Sequence, residues 1–246
     1  YAGHSPVQSD PRFIKNYDNS KKPRSAKSFA TLIEGIDKSL GDLMDHVADK
    51  GVAENTLILF VGDNGSDGPL GDTYGYFSSA PLRGKKGTCY EGGMRVPFIA
   101  SWVMAGKANP FKIARNHLHH EQIGTVMDIY STILDASHSS SPIKHPVDGV
   151  SLLPQLSGKT NNERPDHFMC HFPHSHRSSY FTSYRKGDWK LVYRYLTNAG
   201  KRKSKKPLPK YELYDLKNDP YETKNLALEN TKKTNEMIRL MTEQLE

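Results

Sequence analysis

Two short stretches of this sequence carry residue types that can bind a metal ion and an anion. Asp63 and Asn64 follow the apolar run at residues 56–61 after a single glycine, Gly62. Carboxylate and amide oxygens are hard ligands of the kind that calcium-like cations take. Further along the chain, Lys85 and Lys86 lie between glycines, and a compact ammonium suits a single anionic oxygen. The combination predicts a site for a divalent cation and a tetrahedral anion.

The hydrophobic pattern predicts the elements that would position these residues. Apolar residues recur with helical spacing from about Ser25 to Lys50, which predicts a helix with one buried stripe. Residues 56–61 form an apolar and β-branched run without alternation, which is typical of a strand covered on both faces, as in a parallel sheet. Ligands of such sheets lie beyond the carboxyl ends of the strands, where Asp63 and Asn64 stand. The helical stripe consists of Phe29, Leu32, Ile33, Ile36, Leu40, Leu43, Met44 and Val47.

A second set of elements follows towards the C-terminus. Residues 96–102 are typical of a second buried strand, and residues 123–134 of a second amphipathic helix. The polar stretch at 154–165 indicates a subdomain boundary. Beyond it, apolar and polar residues alternate, which predicts a half-buried strand with a hairpin partner, and a helix closes the chain. These last three elements fall at residues 189–195, 211–216 and about 229–245.

The motifs around these residues occur in an order that resembles the later half of a formylglycine-dependent sulfatase, of the arylsulfatase-like family in the alkaline phosphatase superfamily. The resemblance rests first on Asp63-Asn64-Gly65, on Leu82-Arg83-Gly84 and on the run at 91–97. Together, in this order and at this spacing, these motifs are far more specific than any one of them alone. Other segments that fit the family in the same order are residues 1–6, 36–41, 54–58, 127–134, 147–154, 212–216, 219–220 and 225–226.

The resemblance implies an α/β fold in which this chain supplies only the later part. We expect residues 1–156 to form the later part of the catalytic domain, an alkaline-phosphatase-like mixed sheet flanked by helices. Residues 165–246 would form a small C-terminal α+β subdomain with an antiparallel sheet and a packed helix.

The nucleophile of the family is absent from this sequence. It is a Cys or Ser in a Cys/Ser-x-Pro-x-Arg sequence that is oxidised to formylglycine, and the nearest imitation, at residues 140–144, ends in lysine and follows the Asp63 motif. We therefore expect the formylglycine in an N-terminal half that precedes this chain, and we expect this chain to be inactive by itself.

The resemblance also assigns roles to single residues. Asp63 and Asn64 would be ligands of Ca²⁺, with Mg²⁺ as the alternative metal. Lys86 would contact the sulfate, and the neighbouring Lys85 is the alternative, an ordinary exposed lysine. His4 would contact the sulfate and protonate the leaving oxygen, a task that suits an imidazole titrating near neutrality.

Two further assignments concern the surroundings of the site. Glu91 and Arg95 are expected to pair and to fix the glycine-containing turn between them. His174, in a histidine-rich segment, is our candidate for a residue lining the substrate entrance.

The charge of the chain is concentrated in one segment. The net charge is +7, and six positive charges lie at Lys201, Arg202, Lys203, Lys205, Lys206 and Lys210. Such a cluster between glycine and proline is typical of a solvated hairpin loop. If it binds a partner, a sulfated glycan suits it better than a nucleic acid, since the rest of the chain is nearly neutral.

Cysteine usage and hydropathy give limited information about the cellular compartment of the protein. Cys89 and Cys170 fit no metal or redox motif, and two separate thiols are favoured over one bridge between them. No apolar run reaches transmembrane length, and a signal peptide would lie in the preceding half. Secretion or export to a periplasm is implied by the resemblance alone.

The sequence thus predicts part of a sulfuric ester hydrolase that cleaves aryl or carbohydrate sulfates. Two alternatives remain open. One is a phosphodiesterase or phosphonate hydrolase of the same superfamily, and the other is a non-catalytic module that binds sulfated carbohydrate. The sulfate ester and the oligomeric state are not determined by the sequence.

Overall fold

The computed structural model describes residues 3–69, 79–139, 144–174, 180–197 and 207–246. The imitation of the nucleophile motif at 140–143 and the basic residues 201–206 lie outside the described residues.

The first long helix, α1 (Arg24–Asp49), confirms the helix predicted at 25–50. Its buried face meets the segment that precedes it, where Asp10 N donates to Thr31 Oγ1 at 2.9 Å. The predicted apolar stripe lies on a neighbouring face and is only partly covered: Ile33 is 46% and Leu43 54% exposed, and the other stripe residues are half-buried. The prediction of a fully buried stripe is therefore wrong for the described residues, because the segment at 3–17 covers the neighbouring face of the helix.

Two short strands position the candidate metal ligands. Strand β1 (Leu57–Val61) pairs antiparallel with β2 (Phe98–Trp102), and the four-residue helix α2 (Glu91–Met94) lies between them in sequence. The continuous apolar runs predict strands buried on both faces, as in a parallel sheet. In the described residues this is wrong, since Ile99 is 60% exposed and Phe60, its partner across the two strands, is 38% exposed.

A third region connects this sheet to the C-terminal part. Helix α3 (Asp128–Ala136) is followed by the single turn α4 (Leu153–Leu156). The Arg164 guanidinium lies 2.9 Å from the carboxylate of Asp128, and both side chains are 4% exposed. This buried ion pair fixes the beginning of α3 to the chain that enters the second sheet.

The second sheet has four antiparallel strands, β3 (His167–Phe172), β4 (Phe181–Lys186), β5 (Trp189–Arg194) and β6 (Tyr211–Asp215), in that order. Helix α5 (Thr231–Glu243) packs on one face through a core that includes Leu191, Leu213 and Met237. The predicted antiparallel sheet with a packed helix is confirmed, whereas the proposed domain boundaries stay a prediction.

The other face of this sheet departs from the sequence pattern. Alternation predicts that the polar residues of β5 face solvent, but Lys190 is 1% and Arg194 2% exposed. The prediction of a half-buried strand is wrong because the segment at 83–95 packs over this face and supplies partners for the charges.

Both cysteines are free thiols, as predicted. Within the described ranges, no helix combines the length and the apolar character that crossing a membrane requires.

Candidate functional site

The candidate metal ligands lie in the turn that follows β1. Asp63 is exposed, and the side-chain amide of Asn64 donates to the Gly65 carbonyl at 3.1 Å. The amide of Gly65 donates to the Gly93 carbonyl at 3.0 Å. A Cβ on Gly65 would lie 2.1 Å from the Gly92 carbonyl oxygen, so only glycine permits this approach. The turn is thus held against the segment that carries the lysines.

We call residues 83–92 the lysine loop. Gly84 and Gly87 both have φ near +82°, and Gly92 N donates to the Arg83 carbonyl at 2.7 Å, which closes the loop. Lys86 N donates to the Ser66 carbonyl at 3.2 Å. The structure therefore brings the lysine loop and the Asp63 turn together through backbone hydrogen bonds.

The two lysines of the loop differ in their surroundings. The ammonium of Lys85 lies 3.3 Å from a carboxylate oxygen of Asp67. Among the residues that the structure describes, none forms a hydrogen bond or ion pair with the half-buried Lys86 side chain. The unengaged ammonium is the better candidate for an anion contact, in line with the assignment made from the sequence.

The two candidate histidines lie elsewhere. His4 is exposed, and its Nδ1 atom is 2.8 Å from the Ser5 carbonyl oxygen, in a turn that approaches α1 at Ile36. His174 is exposed at the end of β3, and its ring lies 3.8 Å from that of Phe172. No hydrogen bond or ion pair between described residues connects either histidine to the Asp63 turn or the lysine loop, so their assignments stay predictions.

The donor set at the Asp63 turn suits a hard cation only in part. One carboxylate and one amide side chain follow one another at the strand end, and both offer oxygen. In residues 3–69, 79–139, 144–174, 180–197 and 207–246, no group of three or more His, Cys, Asp or Glu side chains could hold a metal. The described chain thus offers two oxygen ligands, and a complete coordination sphere needs others from outside it.

A large cavity begins beside this turn. Its volume is about 2010 Å³, and it extends from Asp63 and Arg95 along β2 to Arg115 and His117. This exceeds the volumes of roughly 300–1,000 Å³ that small-molecule sites usually have. The space therefore corresponds better to an uncovered sheet face than to a substrate pocket.

A buried polar layer joins the lysine loop to the second sheet. Glu212 accepts hydrogen bonds from Arg194 Nε at 2.7 Å and from Tyr90 Oη at 3.0 Å, and also from Tyr214 Oη. Burial would raise the pKa of Glu212, but the attraction of Arg194 and these hydrogen bonds outweigh it and hold that pKa below its usual value. Burial and the Glu212 charge raise the pKa of Tyr214. Glu212 and Arg194 are therefore both charged at neutral pH.

A second buried group surrounds Lys190. Its ammonium lies 2.9 Å from Glu91 Oε1 and 2.8 Å from Glu222 Oε1. Arg95 lies 2.8 Å from Glu91 Oε2, which confirms the predicted pairing. Burial by itself would raise the pKa of both Glu91 and Glu222. For Glu91 the pairing with Lys190 and Arg95 outweighs burial and lowers the pKa, whereas for Glu222 burial prevails and the pKa stays raised.

Sequence reasoning did not identify Lys190, Glu212 or Glu222 as partners of the lysine loop. One signal was present on β5, where Val192 lies between Lys190 and Arg194 on the same strand face. An apolar residue between two charges on one face indicates that this face is covered.

Comparison with known families gives two matches that together cover the chain. The model described as Sulfatase matches residues 1–139. The model described as N-sulphoglucosamine sulphohydrolase, C-terminal, matches residues 84–246. The two overlap over the lysine loop and β2.

Relatives of known sequence match over less than half of their own length. A sulfatase of Formosa agariphila is 31% identical over 230 residues, which are 86% of this chain and 37% of that protein. The N-acetylgalactosamine-6-sulfatase of Canis lupus familiaris is 31% identical over 164 residues, or 67% of this chain and 28% of that protein.

The chain also covers less than half of each of two similar solved structures. The crystal structure of Ps i-CgsB in complex with k-i-k-neocarrahexaose matches with a TM-score of 0.74 at 21% identity, covering 99% of this chain and 48% of that one. The structure of BT4656 in complex with D-glucosamine-2-N,6-O-disulfate matches with a TM-score of 0.60 at 23% identity, covering 95% and 44%.

Proposed function

The chain belongs to the sulfatase family, and from that premise we propose that it forms the later part of an enzyme that hydrolyses sulfate esters. The predicted fold class, the later part of an alkaline-phosphatase-like α/β fold, is confirmed by its likeness to solved structures. Since the chain spans less than half of the relatives described, the activity is assigned to a longer protein that contains it.

One observation carries this proposal. The turn with Asp63 and Asn64 and the loop with Lys86 are joined by hydrogen bonds from Gly65 to Gly93 and from Lys86 to Ser66. Hard oxygen ligands and an ammonium that no described residue engages, in adjoining segments, are what a cation and a sulfate group need for simultaneous binding.

Asp63 and Asn64 would hold Ca²⁺, or Mg²⁺ in its place, together with ligands from outside this chain. The exposed carboxylate, the adjacent amide and the tight glycine-supported turn fit a hard cation. When bound, such a cation supplies Lewis-acid stabilisation of charge on the sulfate oxygens. The formylglycine nucleophile is expected from the preceding half of the protein.

Lys86 and His4 would perform the remaining chemistry. The ammonium of Lys86 would bind a sulfate oxygen and stabilise the charge that accumulates there as the ester S–O bond breaks. His4 would donate a proton to the departing ester oxygen, which leaves as an alcohol or phenol. The exposure of His4 agrees with a group that must exchange protons with solvent.

The lysines provide the test of this proposal in the full-length protein. With para-nitrophenyl sulfate as substrate, we expect Lys86→Met to lower kcat about 10²–10³-fold, as removal of one donor to a developing charge does. Lys85→Met is the matched control and is expected to stay within about fivefold, because its pair with Asp67 is partly exposed. Equal losses for both variants would contradict the role of Lys86. Faster turnover of bis-para-nitrophenyl phosphate than of the sulfate ester would favour the phosphodiesterase alternative.

The role of His4 has a separate test. We expect His4→Ala to impair esters of poorly acidic alcohols much more than esters of acidic phenols, because only the poor leaving groups need a proton. The measurement is kcat across a series of sulfate esters in the full-length protein. Losses of the same size for all leaving groups would exclude His4 as the general acid.

We also propose a sulfated small molecule or glycan as the substrate, and secretion or periplasmic export of the longer protein. His174, exposed at the end of β3, would line the substrate entrance. For this role, His174→Ala should raise KM for a sulfated oligosaccharide and leave kcat unchanged. Unaltered KM would count against the assignment.

A further inference from the structure

Glu222 contacts the lysine loop at both of its ends. Its carboxylate Oε2 accepts a hydrogen bond from the backbone amide of Glu91 at 2.6 Å. Its backbone carbonyl accepts one from Arg83 Nη1 at 2.7 Å. Arg83 and Glu91 flank Lys86 in sequence, so one residue of the C-terminal part holds the entry and the exit of the loop.

Glu222 is itself held rigidly in place. Its side chain is fully buried, and its backbone is left-handed at φ +55°, a conformation that residues with a side chain rarely adopt. The ammonium of Lys190, 1% exposed, lies 2.8 Å from Glu222 Oε1 and 2.9 Å from Glu91 Oε1. Lys190 thereby links the two carboxylates, and a buried carboxylate persists as an ion only with such a partner.

The loop between these anchor points has little freedom. Thr88 Oγ1 donates to the Lys85 carbonyl at 2.9 Å, and Gly92 N donates to the Arg83 carbonyl at 2.7 Å. The backbone of Lys86 is bonded to Ser66 on the opposite side. The position of Lys86 therefore depends on the anchors of the loop, of which Glu222 supplies two.

We propose that Glu222, supported by Lys190, is a positioning residue that sets the location of the Lys86 ammonium relative to the sulfate group. This inference rests on the proposed function and deepens it. It concerns geometry alone, since the Glu222 carboxylate is fully buried against Glu91 and Lys190 and is inaccessible to a substrate.

A double-mutant cycle in the full-length protein tests this proposal. We expect Glu222→Gly, which suits the left-handed backbone but removes the carboxylate, to lower kcat/KM for para-nitrophenyl sulfate about 10–100-fold. In a Lys86→Met background the same change should cost less than about threefold, because the residue that it positions is already absent. Glu222→Gly should also raise the inhibition constant for inorganic sulfate when Lys86 is present, and should leave it unchanged in the Lys86→Met background.

A control variant separates positioning from general loss of stability. Asp128 forms a comparably buried ion pair with Arg164 but does not contact the lysine loop. Asp128→Asn should lower the melting temperature without changing kcat/KM measured well below it. If Glu222→Gly does not fold, the same cycle is run with Glu222→Asn, which also tolerates the left-handed backbone but is one methylene shorter and so withdraws the acceptor from Glu91 N.

The outcomes are distinguishable. A wild-type protein without sulfate ester hydrolysis would overturn the proposed function and this inference with it. An active wild type in which the Glu222 variant loses nothing, or loses the same factor in both Lys86 backgrounds, would overturn the inference alone. Non-additive losses in the cycle support it.

Discussion

Replacement of Arg194 by methionine is expected to destabilise the second sheet selectively. Arg194 and Glu212 are each 2% exposed, and Arg194 Nε lies 2.7 Å from Glu212 Oε1. Arg194 Nη2 also contacts Tyr90 Oη at 3.0 Å and Cys89 Sγ at 3.2 Å. Methionine occupies a similar volume without charge, so the variant leaves a carboxylate buried without its cation.

The structure sets the size of the effect. Breaking a buried ion pair by removing one partner typically destabilises a protein by about 3–5 kcal/mol. Two tyrosine hydroxyls still donate to Glu212 Oε2 in the variant, which favours the lower end, about 3 kcal/mol. Since about 1.4 kcal/mol corresponds to a factor of ten, the opening equilibrium of the sheet should rise about 150-fold.

Hydrogen exchange of backbone amides in β5 and β6 measures this quantity directly in the full-length protein, where exchange is limited by the opening equilibrium. The control is Arg239→Met, which removes an exposed helical pair with Glu243 and should change exchange by less than about fivefold. Adding Glu212→Gln to Arg194→Met should recover at least half of the loss, because the unpaired charge is gone. Acceleration of less than fivefold by Arg194→Met would refute the argument from burial.

Three other outcomes follow from the contacts. Gly65→Ala should abolish the activity of the full-length protein, because its Cβ would collide with the Gly92 carbonyl oxygen. Gly41→Ala in α1 is the control: a Cβ there meets nothing within 4 Å, so the variant should be neutral or slightly stabilising. Activity is measured as kcat, and folding by circular dichroism, for each variant. The fold lowers the pKa of Glu212 below its ordinary value of 4.5, so its contribution to stability is present above that pH and is lost as pH falls through the folded pKa. Exchange in β6 should therefore accelerate below about pH 4.5, and a flat profile would contradict the pairing. The isolated chain should self-associate and bind a hydrophobic dye through the open face that includes Ile99, and Ile99→Lys should reduce both the association and the dye binding. A monodisperse wild-type chain in size-exclusion chromatography would refute this prediction.

Local signals in the sequence were sufficient for the main elements. The helical spacing after residue 24 and the alternation on β5 gave α1 and the hairpin of the second sheet, because amphipathic period reflects local backbone geometry. The Asp63 turn and the lysine loop were recognised from residue types and spacing, and the structure joins their backbones.

Burial was where these signals failed. The stripe of α1 is only half-covered and the charged face of β5 is fully buried, which period alone does not predict. Hydrophobic pattern indicates which face of an element prefers to be covered, but it does not indicate which other segment covers it.

The sequence by itself therefore determined the family, the fold class and the residues that could bind a cation and an anion. Only the tertiary structure decided what holds the lysine loop. Glu91 meets Lys190 from 99 positions away, and Arg83 meets Glu222 from 139. Contacts at such separations depend on how whole sheets and loops pack, and the free energy of a buried charge depends on a partner that no local pattern specifies.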